Sequence, residues 1–215
     1  NEIILDYVEV DSFSSINELK RSHEKYFIIF SNYPIGYEDN RIPIVRINTI
    51  FKTEELTSKI RLSLVEDALL ENYCKLRVTR LDASLGYLKA TTKLIKQEIA
   101  VKQLNKSFLK AWIEREKRAS NVFENGISIP HIIDDSGHKR ILLTIGIFNK
   151  DVIYQNRKVR IIFLIGIPQK LAPVLSKTLS EVYDLIFSIS RHSGLYSNLL
   201  SYKEEMPFSQ ITEGI

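Results

Sequence analysis

Two uninterrupted β-branched runs, Lys139 to Phe148 and Lys158 to Ile167, constrain this chain more than any other feature. A strand with one wet face alternates apolar and polar residues, whereas a run apolar at nearly every position suits a strand covered on both faces. Such strands imply a sheet with helices flanking it. The helices are legible nearby. Leu171 to Ser190 carries apolar residues at 171, 174, 175, 179, 182, 185, 186 and 189, a helical period, and Gly194 reads as its stop before a shorter helix from Tyr196 onward. Upstream, Ser84 offers a cap for a helix over Leu85 to Ile99, and a second helix runs from Lys106 to about Arg118. Lys75 to Leu81 reads as a strand, and Gly126 to Ile129 as another that leads into His131. The polar stretch Asn149 to Arg157 reads as the connection between the long runs, Asp134 to Gly137 as a turn, and Pro168 as the end of the sheet pattern.

The first third repeats the pattern on a smaller scale. Ile3 to Val10 and Tyr26 to Ser31 are apolar runs of strand length, separated by a helix from Ile16 to Lys25 that Ser14 or Ser15 can cap. Asn32 to Asn40, with Pro34 and Gly36, reads as a loop, after which Ile42 to Ile47 returns as a strand and Glu54 to Asn72 fits an amphipathic helix. Strands alternating with helices imply a parallel sheet. The fold class is therefore α/β, with residues 1–72 forming a small parallel unit and residues 73–215 a second α/β unit. About 70 residues with three strands is thin for an independent α/β domain, so the first unit is expected to be truncated and the chain to be a fragment of a longer protein.

Composition excludes several classes. At 44% apolar and 26% charged, with eight glycines and six prolines, the chain is neither disordered nor collagen-like. Its apolar runs are too short to cross a bilayer and no cationic, apolar leader opens it, which implies no membrane insertion and a cytoplasmic location. Cys74 is the only cysteine, so no internal disulfide is expected. The histidines, at 23, 131, 138 and 192, lack the i, i+4 spacing of helical metal sites, and neither a metal nor a cofactor is expected. The net charge of +4 divides into −4 for residues 1–70 and +8 for the remainder. Those basic residues are scattered along helices and strands, which argues for a solvated basic surface and against direct nucleic-acid binding.

The most specific signal is a string: Arg115-Glu116, then Lys117 to Glu124, then Asn125-Gly126-Ile127-Ser128-Ile129-Pro130-His131. Taken singly, His131 reads as readily as a structural histidine at a turn, and Arg115 as a surface arginine in the charged run Glu114 to Arg118. Taken together, the string resembles the active-site signature of the fructose- and mannitol-class enzyme IIA domains of the bacterial sugar phosphotransferase system. There an Arg-Glu pair at a helix end precedes a Gly-apolar-Ala-apolar-Pro-His string. The resemblance covers roughly residues 75–215 and implies a mixed sheet flanked by helices for that unit. It implies that His131 receives a phosphoryl group from the histidine-containing phosphocarrier protein, that Arg115 stabilises it, and that Asn121 and Ser128 are phosphate-binding positions. The chemistry suits these residue types: imidazole is nucleophilic yet largely unprotonated near neutrality, and a guanidinium matches the spread charge of a phosphoryl group. Three positions depart from the family pattern. Asn121 replaces a threonine, Ser128 an alanine, and Leu171 stands where many transporting members carry a second histidine, which weighs against fast onward transfer.

Tyr26 to Ser31, Ile42 to Ile47 and the helix from Glu54 resemble the back half of the enzyme IIB-like domain of phosphotransferase-controlled transcription regulators. Cys74 follows that helix and cannot be a phosphate-cradling cysteine of such a domain; it reads as a small buried residue. The two resemblances together imply the C-terminal regulatory region of a sugar-operon regulator, with the phosphocarrier protein and upstream domains of the same chain as partners. Two other readings stand beside it: an enzyme IIA that relays phosphate to a permease IIB domain, and a docking module that is never phosphorylated. For any docking near His131, Phe123, Ile132 and Ile133 are candidate apolar rim residues.

Overall fold

The computed structural model describes residues 11–22, 26, 28–31, 42, 44–46, 53–123, 125–203 and 208–212. The chain divides into two compact units, Asn1–Leu56 and Thr57–Ile215. In the first, α1 (Ile16–Arg21) starts at Ser15, whose hydroxyl accepts from the Glu18 N–H, while the Glu18 carboxylate accepts from the Ser14 N–H and hydroxyl. Both contacts neutralise donors that a helix start leaves open. Strands β1 (Ile29–Ser31) and β2 (Ile44–Arg46) pair in parallel, with Ile29 opposite Ile44. The strand expected over residues 3–10 and the loop over 32–40 lie outside the described residues.

Helix α2 (Thr53–Leu70) is followed by β3 (Cys74–Leu81), α3 (Gly86–Ala100), α4 (Lys106–Arg118), β4 (Ile127–Ser128) and β5 (His131–Asp134). The long strands β6 (Ile141–Tyr154) and β7 (Arg157–Pro168) come next, then α5 (Pro173–Arg191) and α6 (Ser193–Ser201). The sheet runs β3-β6-β7, and β4 and β5 both pair with β7. The β6–β7 pairing is antiparallel and the other three are parallel, so the sheet is mixed, as expected. Alternation along β7 explains its unbroken apolar run. Ile161, Phe163 and Ile165 join the core formed with α5 and α6, whereas Ile162 and Leu164 join the core formed with α3 and α4. Both faces are dry, so the wholly buried polar side chains of the sheet, Thr144 and Ser128, each have a hydrogen-bond partner, Glu98 and Tyr87. Leu62, Val65 and Ala68 of α2 belong to the first of these cores. The apolar stripe of a helix that the sequence groups with residues 1–72 is thus buried in the second unit.

Three local readings are corrected. The polar stretch Asn149 to Arg157 is mostly strand: β6 runs on to Tyr154, and Gln155 (φ 48°) and Asn156 (φ 62°) make a two-residue hairpin turn into β7. One side of the hairpin faces solvent, with Asp151 and Ile153 on β6 and Lys158 on β7 exposed, while Val152 and Val159 on the other side stay buried. Ser84 does not cap α3, which starts after Leu85 without a side-chain cap; Asp82 instead caps the 3-10 turn Ala83–Leu85 that leads into it, its carboxylate accepting from the Ser84 N–H at 2.9 Å. Gly194 does not stop α5; it lies inside α6, and the break falls at the extended His192 (φ −105°, ψ 110°), whose Nδ1 accepts from the Leu195 N–H at 3.4 Å. The turn after β5 is as expected, with Asp134 accepting from the Ser136 N–H and Gly137 at φ 81°.

Candidate active site

His131 opens β5 and pairs with Ile165 of β7. The strand enters the sheet through Pro130, whose carbonyl accepts from the Ile165 N–H at 2.9 Å. Proline there holds φ near one value and leaves no N–H to satisfy. The half-buried imidazole makes two polar contacts. Nδ1 lies 2.8 Å from the Ile129 carbonyl oxygen and Nε2 lies 2.7 Å from Nη2 of Arg115. A carbonyl can only accept and a guanidinium can only donate, so one tautomer satisfies both: the proton on Nδ1 and the lone pair on Nε2. Burial pushes the His131 pKa below the ordinary 6.5; the Arg115 charge pushes it the same way and the Ile129 carbonyl opposes both. Near neutral pH the ring is uncharged, with Nε2 as its nucleophilic atom.

Arg115 comes from the last turn of α4. That helix begins at Asn105, whose side chain accepts from the Ser107 N–H, while the Asn105 N–H donates to the Asp134 carboxylate at 2.8 Å. Asp134 ends the strand that His131 begins. One buried carboxylate therefore ties the helix carrying the arginine to the strand carrying the histidine. A third side chain arrives from α5: the Tyr183 ring stands perpendicular to the imidazole, with centroids 6.0 Å apart. Burial raises the Tyr183 pKa and the Arg115 charge opposes that rise. Tyr183 falls between Val182 and Leu185 in a helical apolar period, so sequence reading passes over it.

Residues 87–192 match the family model for the phosphoenolpyruvate-dependent sugar phosphotransferase system, EIIA 2. That stretch is an EIIA 2 domain. It is similar to the nitrogen regulatory protein IIA-Ntr from Neisseria meningitidis at 14% identity, over 67% of this chain and 99% of that one, with a TM-score of 0.48. It is also similar to a phosphotransferase-system IIA domain from Streptococcus pyogenes M1 GAS at 15% identity, over 69% and 91%, with a TM-score of 0.45. No curated protein matches the sequence.

Within the EIIA 2 domain, Asn121 and Ser128 do not converge on His131. The Asn121 amide donates to the carboxylate of Glu116 at 2.7 Å, and both residues are buried. Glu116 follows Arg115 directly, so this bond joins the end of α4 to the loop that leads to β4. The other Glu116 carboxylate oxygen is buried without a partner among the described residues. Ser128 is wholly buried, its hydroxyl 2.7 Å from that of Tyr87. The Tyr87 ring in turn packs on Tyr154 with centroids 4.5 Å apart. Asn121 is thus bonded to α4 and Ser128 to α3. Of the candidate rim, Ile133 is 66% and Phe123 44% exposed, while Ile132 packs against the α3–α4 core. Leu171 is also exposed. His138 contacts the Lys102 carbonyl, and the described residues hold no cluster of ligands able to bind a metal ion. None of the described helices is long and apolar enough to cross a membrane.

Proposed function

We propose that the EIIA 2 domain is phosphorylated on His131 at Nε2 by the histidine-containing phosphocarrier protein, and that the chain is the C-terminal regulatory part of a sugar-operon transcription regulator. The observation that carries the phosphorylation reading is the 2.7 Å contact between Arg115 and a His131 nitrogen whose partner nitrogen is held by a carbonyl. The transfer balances simply. The Nε2 lone pair forms a new N–P bond as the N–P bond of the carrier's phosphohistidine breaks, and that bonding pair returns to the carrier's ring. The proton stays on Nδ1, donated to the Ile129 carbonyl throughout, and that hydrogen bond helps spread the positive charge that the ring acquires.

Arg115 occupies the Nε2 lone pair at rest, so it must move as phosphorus arrives, and the oxygens of the incoming group are its next acceptors. A planar fork of donors suits that move, because charge on a transferring phosphoryl group is spread over three oxygens. Asn121, through Glu116, anchors the helix end from which Arg115 reaches out. Ser128, through Tyr87, ties β4 to α3. The exposed Ile133, Phe123 and Leu171 supply apolar contact for the carrier.

The regulatory reading is favoured over a transport relay by Leu171, which offers no imidazole for onward transfer, and the parallel β1–β2 pair is in keeping with a IIB-like first unit. Incubating the chain with phosphoenolpyruvate, enzyme I and the phosphocarrier protein tests the proposal by intact mass. The expected outcome is one acid-labile phosphoryl group that is absent from His131→Ala and forms at least about tenfold more slowly in Arg115→Gln. Efficient onward transfer to a IIB protein would favour the relay. A folded wild type that stays unlabelled beside a working control leaves only the docking module.

A further inference from the structure

A second polar constellation lies away from the imidazole, in a cleft of about 480 Å³ formed by the β6–β7 hairpin, the end of α5 and α6. Arg160 belongs to β7, five residues before the Ile165 that pairs with His131, which puts the two sites about 16 Å apart along the strand. The Arg160 side chain is only 25% exposed, yet its sole ionic partner among the described residues, Asp151, stands 3.8 Å away, too far for a hydrogen bond. Its guanidinium makes no hydrogen bond to the described residues, and its Nε is buried without a partner. A buried guanidinium N–H without an acceptor is a costly arrangement that calls for an explanation.

The surroundings are rich in donors and poor in acceptors. Lys158 also lies 3.8 Å from Asp151, and Arg191 at the end of α5 lines the same cleft with no ion pair to the described residues. Asp151 is the single carboxylate lining it. The Tyr196 hydroxyl has no hydrogen-bond partner among the described residues, and Ser193 adds a further hydroxyl. Gly126 lines the cleft at φ +79°, where a Cβ would come within 3.2 Å of the Tyr196 hydroxyl, while its carbonyl accepts from the Arg160 N–H at 2.7 Å. A residue with a side chain would be strained there and would crowd the phenol.

We propose that this cleft binds a phosphate-class oxyanion, either free or as the monoester of a small hydroxylated molecule, with Arg160 as its principal ligand. A forked guanidinium matches two oxygens of such a group, and Lys158 and Arg191 supply the remaining charge. The volume exceeds what a bare phosphate needs, and the hydroxyls give the rest of an ester polar contacts. The assignment does not depend on phosphorylation of His131.

The test is an amide-resonance titration of the isotope-labelled chain carrying His131→Ala, which removes the other phosphoryl site from the readout. Inorganic phosphate, glucose 6-phosphate and glucose are added at constant ionic strength. Saturable shifts at Gly126, Arg160 and Ser193 are expected with both phosphates and none with glucose; tighter binding of the ester identifies it as the ligand, and equal binding identifies free phosphate. Arg160→Gln is expected to weaken binding at least about tenfold, and the exposed Arg191→Gln about threefold with an unchanged melting temperature. Arg160→Gln should leave His131 labelling in the wild-type background unchanged. Unsaturable shifts, the same response to chloride, or binding that survives both substitutions overturns the proposal.

Discussion

An imidazole that is to receive a phosphoryl group has to be unprotonated and aimed, and His131 is prepared in both respects by its neighbours. Burial, the largest cause, and the Arg115 charge both disfavour the imidazolium. The folded chain therefore holds this proton less tightly than the unfolded chain, whose histidine keeps the ordinary value of 6.5. The stability tied to this group is complete above 6.5 and is lost as pH falls through the lower folded value, because the unfolded state then binds more protons. Following the imidazole carbon-bound protons by NMR should give a midpoint below 6.5, and the acid limb of the phosphorylation rate should lie with it. Arg115→Gln should raise that midpoint only part of the way, since burial remains. A midpoint at or above 6.5 in the wild type would contradict this account. His131 and Arg115 are legible in the sequence because their string is local; the Tyr183 ring is not, because it comes to His131 from α5.

Asp134 shows how elements hold the two groups in reach of one another. Its carboxylate accepts from the Asn105 N–H at the start of α4 and from the Ser136 N–H in the turn after β5. Removing it leaves both donors without their acceptor, one of them at a helix start. Asp134→Ala is expected to cost about 2 kcal/mol of stability, read from urea denaturation, and to slow His131 labelling because Arg115 rides on α4. A variant as stable and as quickly labelled as wild type would show that the link is dispensable. The β6–β7 hairpin carries a different lesson at this scale. Its polar composition resembles a loop, yet alternation of exposed Asp151 and Ile153 with buried Val152 keeps it in strand. Polarity there reports solvent on one side, not the end of pairing.

At the scale of the whole molecule, the sheet of the second unit holds its site in place by being packed on both faces. Trp112 is 1% exposed in the α3–α4 core, one turn before Arg115 and Glu116. Trp112→Ala is expected to destabilise by about 3–5 kcal/mol, a large share of a domain's usual margin, whereas Phe123→Ala on the exposed rim should change stability by less than about 0.5 kcal/mol. Equilibrium denaturation of the two variants checks the contrast. The sequence by itself determined the order of strands and helices in this unit, though not the β6–β7 hairpin or the break between α5 and α6, because apolar periodicity is a direct record of which faces meet water. It also determined the His131 string, since Pro130, His131 and the Arg-Glu pair lie within one short stretch of chain. Only the tertiary structure decided which groups face one another. It turned Asn121 toward Glu116 and Ser128 toward Tyr87, brought Tyr183 against the imidazole, and left the Arg160 guanidinium without an acceptor. The physical reason is that burial is encoded residue by residue, whereas hydrogen bonds and charge pairs join positions far apart in the chain, and only packing sets which of them meet.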